Sequence, residues 1–418
     1  MEKNKFEFDV AVVGGGPAGM MAALRAAEKG ARVVLVEKKD VFGTKLLMTG
    51  GGRCNISQAE SDLKKLAQSY KNGRFLLPAL RKFGPEEFSR YFERLGVGLK
   101  VEKNGRVFPK SEKASDVVGT LRKRLLENGV NFFMESEVAE IGFSGSVIEK
   151  LVLKDGREVV AQNYIIATGG KSYPHSGSTG QGYGWAEKIG HTVAEPEPSL
   201  VPVKSEAEWL ADLQGVSLSD AKVGAYQDGK KIFESQGEML VAHFGLSGPM
   251  VLNISGKIRD LLKSGDVVLK VDLKPHMDAE KLDEVVRADL ERNAGKKLAN
   301  CLGDLFSEKV RDAVLKLSKI DTEKHAAKVS REERRKIVFL IKGLEVPVKE
   351  LFGFDRAMVT SGGISTKEVD SKTMRSKKID NLFFAGEVLD VDGPTGGYNL
   401  LACWSTGYAA GENSFRGF

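Results

Sequence analysis

One stretch near the start of the chain constrains its fold more than any other. Asp9–Lys38 reads DVAVVGGGPAGMMAALRAAEKGARVVLVEK. Val10–Val13 is a short, β-branched apolar run, suited to a strand buried on both faces. It meets Gly14, Gly16 and Gly19, the G-x-G-x-x-G spacing, with Pro17 and Ala18 between the last two glycines. Residues 22–29 read as helix, residues 32–36 as a second buried strand, and Glu37 closes the unit 18 residues after Gly19. Strand, glycine turn, helix, strand and acid together make a dinucleotide-binding βαβ unit. Gly14 permits the tight turn, Gly16 lets backbone approach a pyrophosphate, and Gly19 lets helix pack on strand. The helix N-terminus offers free N–H groups to phosphate. Glu37 is placed to accept from ribose hydroxyls and would repel a 2′-phosphate, which argues against NADP at this site.

A chain of 418 residues is expected to form two or three domains. The excess of six basic over acidic residues is spread along the chain, so it argues against a nucleic-acid partner. Cys54, Cys301 and Cys403 are too far apart for a disulfide framework or metal cluster, and no metal site is expected. With no leader pattern or membrane-length apolar run, the expectation is a cytoplasmic protein with reduced thiols and no membrane partner.

Gly43 and the triplet Gly50, Gly51 and Gly52 follow the first unit, flanked by Lys45, Thr49, Arg53, Cys54 and Asn55. Backbone so lightly covered can lie against a flat ring or a phosphate. Residues 62–70 and 74–95 read as helices, and 99–109 as a hairpin turning at Asn104-Gly105. A helix over 115–128 is expected to be capped by Ser115. Asn163–Gly170 is another buried strand, ending in Thr168, Gly169 and Gly170. Residues 171–184 continue as a polar, glycine-rich loop, where His175 is more simply an exposed residue than a proton donor.

From His191 the pattern changes to short alternating strands, then to charged helices over 278–342. The assignment is a dinucleotide-binding domain of residues 1–190 and 362–418, a β-rich, barrel-like domain of 191–273 and 344–361, and a helical insert of 274–343. Ser247 in HFGLSGP is no hydrolase nucleophile, because Pro249 takes the place of the second glycine. Near the end, a buried strand over 381–385 runs into Gly386 and Glu387. Asp392, Gly396 and Gly397 then precede a helix beginning at Tyr398 and Asn399, whose N-terminus can face an electron-rich ring edge.

Five segments, KLLMTGGGRCNIS, GRVFPKSEKASDVV, ATGGKSYPHSGSTGQGYG, HFGLSGP and AGEVLDVDGPTGGYNL, occur in this order. Together they resemble the FAD-binding proteins of the glutathione-reductase-like superfamily, over nearly the full chain. More specifically, the chain is similar to three-domain bacterial NAD(P)/FAD-dependent oxidoreductases, a group with bile-acid reductase and aminoacetone oxidase members. The resemblance implies a discontinuous Rossmann-like α/β domain holding non-covalent FAD. It puts the pyrophosphate at Gly14, Gly16 and Gly19, the ribose at Glu37 and Lys38, and adenine against the backbone of Val138. Thr49–Asn55 would wrap the flavin, with Lys45 beside them. Thr168, Gly169, Gly170, Gly386 and Glu387 would line the cofactor, and Asp392 and Gly396–Asn399 its pyrimidine end. Thr44, Gln181 and Leu401 depart from residues common in that family, which bears on substrate preference.

No second glycine unit and no C-x-x-C pair is visible, which disfavours a disulfide-reductase mechanism. The expected activity is hydride transfer from transient NAD(P)H, through flavin, to an unsaturated or carbonyl-bearing small molecule. A flavin amine oxidase using O₂ and a flavin-containing RNA-associated or binding protein remain as alternatives. His243, Tyr398 and Cys54 are the acid–base candidates. The oligomeric state stays open.

Overall fold

The computed structural model describes residues 5–415. β1 (Lys5–Val13) runs into α1 (Pro17–Glu28) and β2 (Val33–Val36). There follow α2 (Thr44–Met48), β3 (Ser57–Gln58), α3 (Leu63–Gln68), α4 (Gly73–Lys82) and α5 (Pro85–Leu95). A hairpin of β4 (Leu99–Val101) and β5 (Arg106–Pro109) leads to α6 (Ala114–Glu127). Then come β6 (Asn131–Phe133), β7 (Val138–Ser144), β8 (Val147–Leu153), β9 (Glu158–Ile166), α7 (Gln181–Lys188) and β10 (Val193–Ser199).

Contacts within the chain divide it after Ser199 and resume the first unit at Phe354. The second unit, Leu200–Gly353, opens with β11 (Val203–Lys204), α8 (Trp209–Asp212), β12 (Ser217–Gln227), β13 (Lys230–Ala242), β14 (Gly245–Ser247) and α9 (Pro249–Leu262). It continues with β15 (Val268–Asp272), α10 (Ala279–Arg292), α11 (Glu308–Ser318), α12 (Arg331–Lys342), β16 (Leu344–Pro347) and β17 (Glu350–Leu351). Its strands form one antiparallel sheet in the order β16-β15-β12-β13-β14-β11-β17. Asp228 and Gly229, both at positive φ, make the β12–β13 turn. The charged helices read from the sequence are present, capped by Asp278 and Ser330. Their apolar faces (Leu282, Val286, Val314, Ile337, Ile341) share a core with the sheet residues Val223, Leu269 and Val271. Sheet and helices therefore bury their apolar surface together.

In the first unit, β18 (Val359–Ile364), β19 (Leu382–Phe384) and α13 (Tyr398–Asn413) complete the fold. β10 lies in the stretch given by sequence to the β-rich domain, yet it pairs antiparallel with β18 and belongs to this unit. The main sheet runs β6-β2-β1-β9-β8-β7, with β19 also paired to β9. β6, β2, β1, β9 and β19 are parallel. Val10–Val13 and Val33–Val36 are at most 5% exposed, as strands covered on both faces require. α13 packs closely on α1. A Cβ at Gly407 would stand 2.4 Å from the Ala18 carbonyl oxygen, and one at Gly411 2.3 Å from that of Ala22. No described helix is long and apolar enough to cross a membrane.

Three local expectations are corrected. The helix over 74–95 is two helices, α4 and α5, broken at Phe83-Gly84. Pro85 cannot continue a helix, and instead opens α5 with Glu87 capping the Gly84 N–H. Ser115 does not cap α6, which begins one residue earlier with Lys113 at its N-cap. The strand read over 163–170 starts earlier and ends sooner, as β9 over Glu158–Ile166, and α7 begins inside the predicted loop at Gln181.

Candidate active site at the strand ends

Parallel pairing aligns the strand ends. Val13 stands opposite both Val36 and Ile166, and Ile166 opposite Phe384. The glycine turns after β1, β9 and β19 therefore leave the sheet side by side, at the edge where open α/β sheets bind ligands. A Cβ at Gly386 would lie 2.7 Å from Ala18 Cβ, so the turns from opposite ends of the chain are in contact.

The first turn has the form that a phosphate needs. Gly14 has φ +106°, and a side chain there would meet the Ala167 carbonyl oxygen at 2.5 Å. A Cβ at Gly19 would meet the Gly14 oxygen at 1.8 Å. One at Gly16 meets nothing within 4 Å, so open space lies before α1. Pro17 occupies the first helical turn, and the N–H groups of Ala18 and Gly19 have no partner within the helix. Glu37 Oε2 accepts from Gly15 N at 2.6 Å and Oε1 from Lys39 N at 2.9 Å, which orients the carboxylate beside the turn. Half-buried Lys38 donates to Thr179 Oγ1 at 3.0 Å, and burial holds its pKa below the usual lysine value. Gln181 donates to Glu137 at 2.8 Å and reaches the Val138 carbonyl at 3.5 Å.

Deeper in the site, Glu387 is a hub. Its Oε2 lies 2.7 Å from Lys45 Nζ, and its Oε1 accepts from Ser172 Oγ and Thr360 N, both at 2.8 Å. Gly170 leaves room for this network, since a Cβ there would lie 2.3 Å from Thr360 Oγ1. Gly169, at φ +73°, faces Ser178. Thr168 Oγ1 is buried with no hydrogen-bond partner among the described residues.

At the far end, Gly50, Gly51 and Gly52 are all left-handed, and nothing stands within 4 Å of a Cβ at the last two. Thr49 Oγ1 donates to the Leu46 carbonyl at 2.7 Å. Oriented to satisfy its neighbours, the Asn55 amide donates to the carbonyls of Val107 and Ser57 and accepts from Gly397 N at 3.1 Å. Gly397 is the N-cap of α13, and Gly396 precedes it. The Asn399 side chain exchanges two hydrogen bonds with the Gly393 backbone, both 2.8 Å. Burial raises the Asp392 pKa, with Asp390 adding to it, and Asp392 Oδ1 has no hydrogen-bond partner among the described residues. Tyr398 is half-buried against Tyr70, whose hydroxyl donates to its backbone oxygen at 2.7 Å.

Other candidates have different surroundings. Arg53 pairs with Glu102 at 2.6 Å and Glu112 at 2.7 Å over the Phe108 ring, so its charge is compensated within the protein. Cys54 is 0% exposed, and burial pushes its thiol up to about 12; a group so sealed and so weakly acidic is not an acid–base catalyst at neutral pH. His243 is exposed in the second unit, with its ring against Phe244. His175 is exposed on a short turn. Sequence reasoning missed Ser172, Thr360, Gln58 and Arg106. Ser172 and Arg106 fall in segments singled out above, but neither was named as a site residue; Thr360 and Gln58 lie outside those segments.

The residues fit FAD. Open space before α1, unfilled glycine backbone at Gly51 and Gly52, and the orphaned Thr168 hydroxyl suit a long, flat, phosphate-bearing molecule. Among the described residues no cluster of three metal-binding side chains occurs.

Comparisons with known proteins agree. The family described as HI0933-like protein Rossmann domain matches residues 8–413. The chain is 32% identical over 410 residues to the 3-dehydro-bile acid delta(4,6)-reductase of Clostridium scindens, covering 96% of this chain and 98% of that protein. It is 30% identical over 415 residues to the ribosomal RNA dihydrouridine synthase of Escherichia coli, covering 97% and 98%. The 3-ketosteroid delta1-dehydrogenase of Sterolibacterium denitrificans shares the fold, with a TM-score of 0.54 at 14% identity over 97% of this chain and 98% of that one. The chain belongs to the HI0933-like family of FAD-binding Rossmann-domain oxidoreductases.

Proposed function

We propose that the protein reduces a carbon–carbon double bond conjugated to a carbonyl, with FAD as its resident cofactor and NAD(P)H as transient donor. The observation that carries this reading is the meeting of three glycine turns at one sheet edge. The names of the relatives supply the acceptor chemistry. A 3-oxo compound with 4,6 unsaturation is a conjugated dienone, and dihydrouridine is uridine with two hydrogens added across a bond conjugated to a carbonyl. Conjugate addition of hydride to such a system puts it on a carbon in vinylogous relation to the carbonyl (β in an enone) and sends the charge to the carbonyl oxygen before a proton completes the reduction.

FAD supplies the hydride-carrying centre when bound. The N-terminus of α1 and the open face of Gly16 take the pyrophosphate. Glu37, already held by two backbone N–H groups, accepts from the ribose. Residues 49–55 cover the flavin, and the N-terminus of α13 stabilises negative charge at its pyrimidine edge. Tyr398 is the acid–base candidate at that helix end.

The expectation that nucleic acid is excluded is not carried forward. A uracil within RNA is a second acceptor class, favoured by the dihydrouridine synthase relatives. It is also favoured by an exposed face of α12 where Phe339, 68% exposed, follows Arg335 and Lys336. The test is anaerobic. NADH or NADPH should bleach the flavin, and 4-androstene-3,17-dione or unmodified ribosomal RNA should restore its colour. Flavin that never bleaches refutes the reductase reading, and peroxide formed on adding an amine supports an oxidase instead.

A further inference from the structure

We propose that Arg106 binds the carbonyl oxygen of the acceptor and stabilises the negative charge that reaches this oxygen during reduction. The proposal rests on the reductase reading above and assigns a role at the same site.

Strand pairing sets Arg106 directly opposite Gln58, so the two side chains share one face of the β3–β5 ladder. Gln58 is fixed by the Asn104 carbonyl at 3.0 Å and the Gly396 carbonyl at 3.4 Å. A Cβ at Gly396 would lie 3.8 Å from Gln58 Nε2, 3.8 Å from Tyr398 Cε2 and 3.9 Å from Arg106 Cγ. Arg106, Gln58 and Tyr398 thus surround the glycine turn that opens α13.

The guanidinium is poorly answered by the protein. Its Nε is buried with no acceptor among the described residues. The carboxylate nearest to hand is Glu102, 3.7 Å from Nη2, and Glu102 is already paired with Arg53 at 2.6 Å. A buried N–H without an acceptor is unfavourable, and a ligand oxygen would relieve that cost. The planar donor fork of arginine suits an sp² oxygen carrying charge, and the positive end of α13 reinforces the same field.

The step balances. Hydride derived from NAD(P)H adds to the β carbon, and the alkene π pair shifts to make the carbonyl an enolate. The enolate oxygen receives Arg106 hydrogen bonds, and a proton drawn from solvent adds to the α carbon and restores the carbonyl. The alkene gains two hydrogens and the nicotinamide is oxidised.

The experiment compares wild type, Arg106→Gln and Arg106→Lys as FAD-loaded proteins. In the glutamine variant, flavin reoxidation by 4-androstene-3,17-dione should slow by about 100-fold, while flavin content, melting temperature and reduction by NAD(P)H stay near wild type. The lysine variant should recover part of the loss. A second readout needs no turnover: calorimetric binding of the 4-hydroxybenzaldehyde phenolate to the oxidised holoenzyme, expected to weaken at least tenfold in the glutamine variant. Unchanged phenolate affinity, or a wild type that does not bind it, overturns the assignment. If wild type binds phenolate through Arg106 yet reduces no conjugated alkene, the reductase reading falls while the oxyanion site stands.

Discussion

Lys45 and Glu387, 342 residues apart in sequence, form an ion pair with Nζ and Oε2 separated by 2.7 Å. The side chains are 22% and 15% exposed, and Ser172 and Thr360 supply further hydrogen bonds. The pair ties the segment after the first βαβ unit to the turn after β19. Replacing Glu387 by Ala leaves Lys45 half-buried without its partner and strips two donors of their acceptor. Urea unfolding of the FAD-free protein should then show a loss of about 2 kcal/mol, below the 3–5 kcal/mol typical of a fully buried pair. Lys45→Met should cost less than Glu387→Ala. Equal stability of all three proteins would show that the pair contributes nothing to the fold.

Two glycines three residues apart should behave differently. A methyl at Gly19 collides with the Gly14 carbonyl at 1.8 Å, whereas one at Gly16 enters open space at an ordinary φ of −76°. Gly19→Ala should lower the melting temperature of the FAD-free protein and abolish FAD binding. Gly16→Ala should leave that melting temperature within about 2 °C of wild type and weaken FAD at least tenfold, because the methyl occupies the space assigned to the pyrophosphate. FAD titration and thermal melts decide this. Tight FAD binding by Gly16→Ala would move the pyrophosphate elsewhere.

Acid should weaken the first unit through Glu368. Burial pushes its carboxyl up, but Lys378 at 2.7 Å and the Thr192 N–H and hydroxyl outweigh this and hold it at about 2. A folded-state value below the unfolded 4.5 means that its stabilisation is full above pH 4.5 and is lost as pH falls toward 2. Glu368→Gln should remove on the order of 1–2 kcal/mol at pH 7, after discounting for solvent, and flatten the pH dependence in that window. Denaturant midpoints at pH 7, 4.5 and 3 give the measurement, and a wild-type slope unchanged in the variant would refute it.

The three thiols should be silent in the folded protein. Burial pushes Cys54 and Cys403 up to about 12 and raises Cys301 as well. A thiol-reactive disulfide reagent at pH 8 should therefore label none of them until denaturant is added, and then all three. Rapid labelling of Cys54 in the native state would reopen its case as a reactive group.

Much of the cofactor cradle is legible in the sequence because backbone geometry writes itself into residue type. Gly14 and Gly19 are glycine since a Cβ would strike carbonyl oxygens, and Gly50, Gly51, Gly52 and Gly397 since their φ is left-handed. The apolar runs 10–13 and 33–36 announce strands covered on both faces. What composition hides is pairing at long range. Nothing local says that Glu387 answers Lys45, that Thr360 serves the same hub, or that Arg106 faces Gln58 across a two-residue strand. Arg53 looked like a cation for the cofactor, but its partners Glu102 and Glu112 lie beyond the next three helices. Ser115 failed as a cap because the helix begins at Ala114, which puts Ser115 inside the first turn rather than before it.

Every functional step proposed above depends on one FAD molecule held by the glycine turns after β1, β9 and β19 and the head of α13. The most direct test is the visible spectrum of the purified protein, followed by mass analysis of the cofactor released on denaturation. A yellow protein carrying about one FAD per chain is expected, or a colourless one that takes up one FAD on reconstitution and loses that capacity in Gly19→Ala. A protein that carries no flavin and cannot be reconstituted with it would contradict the account.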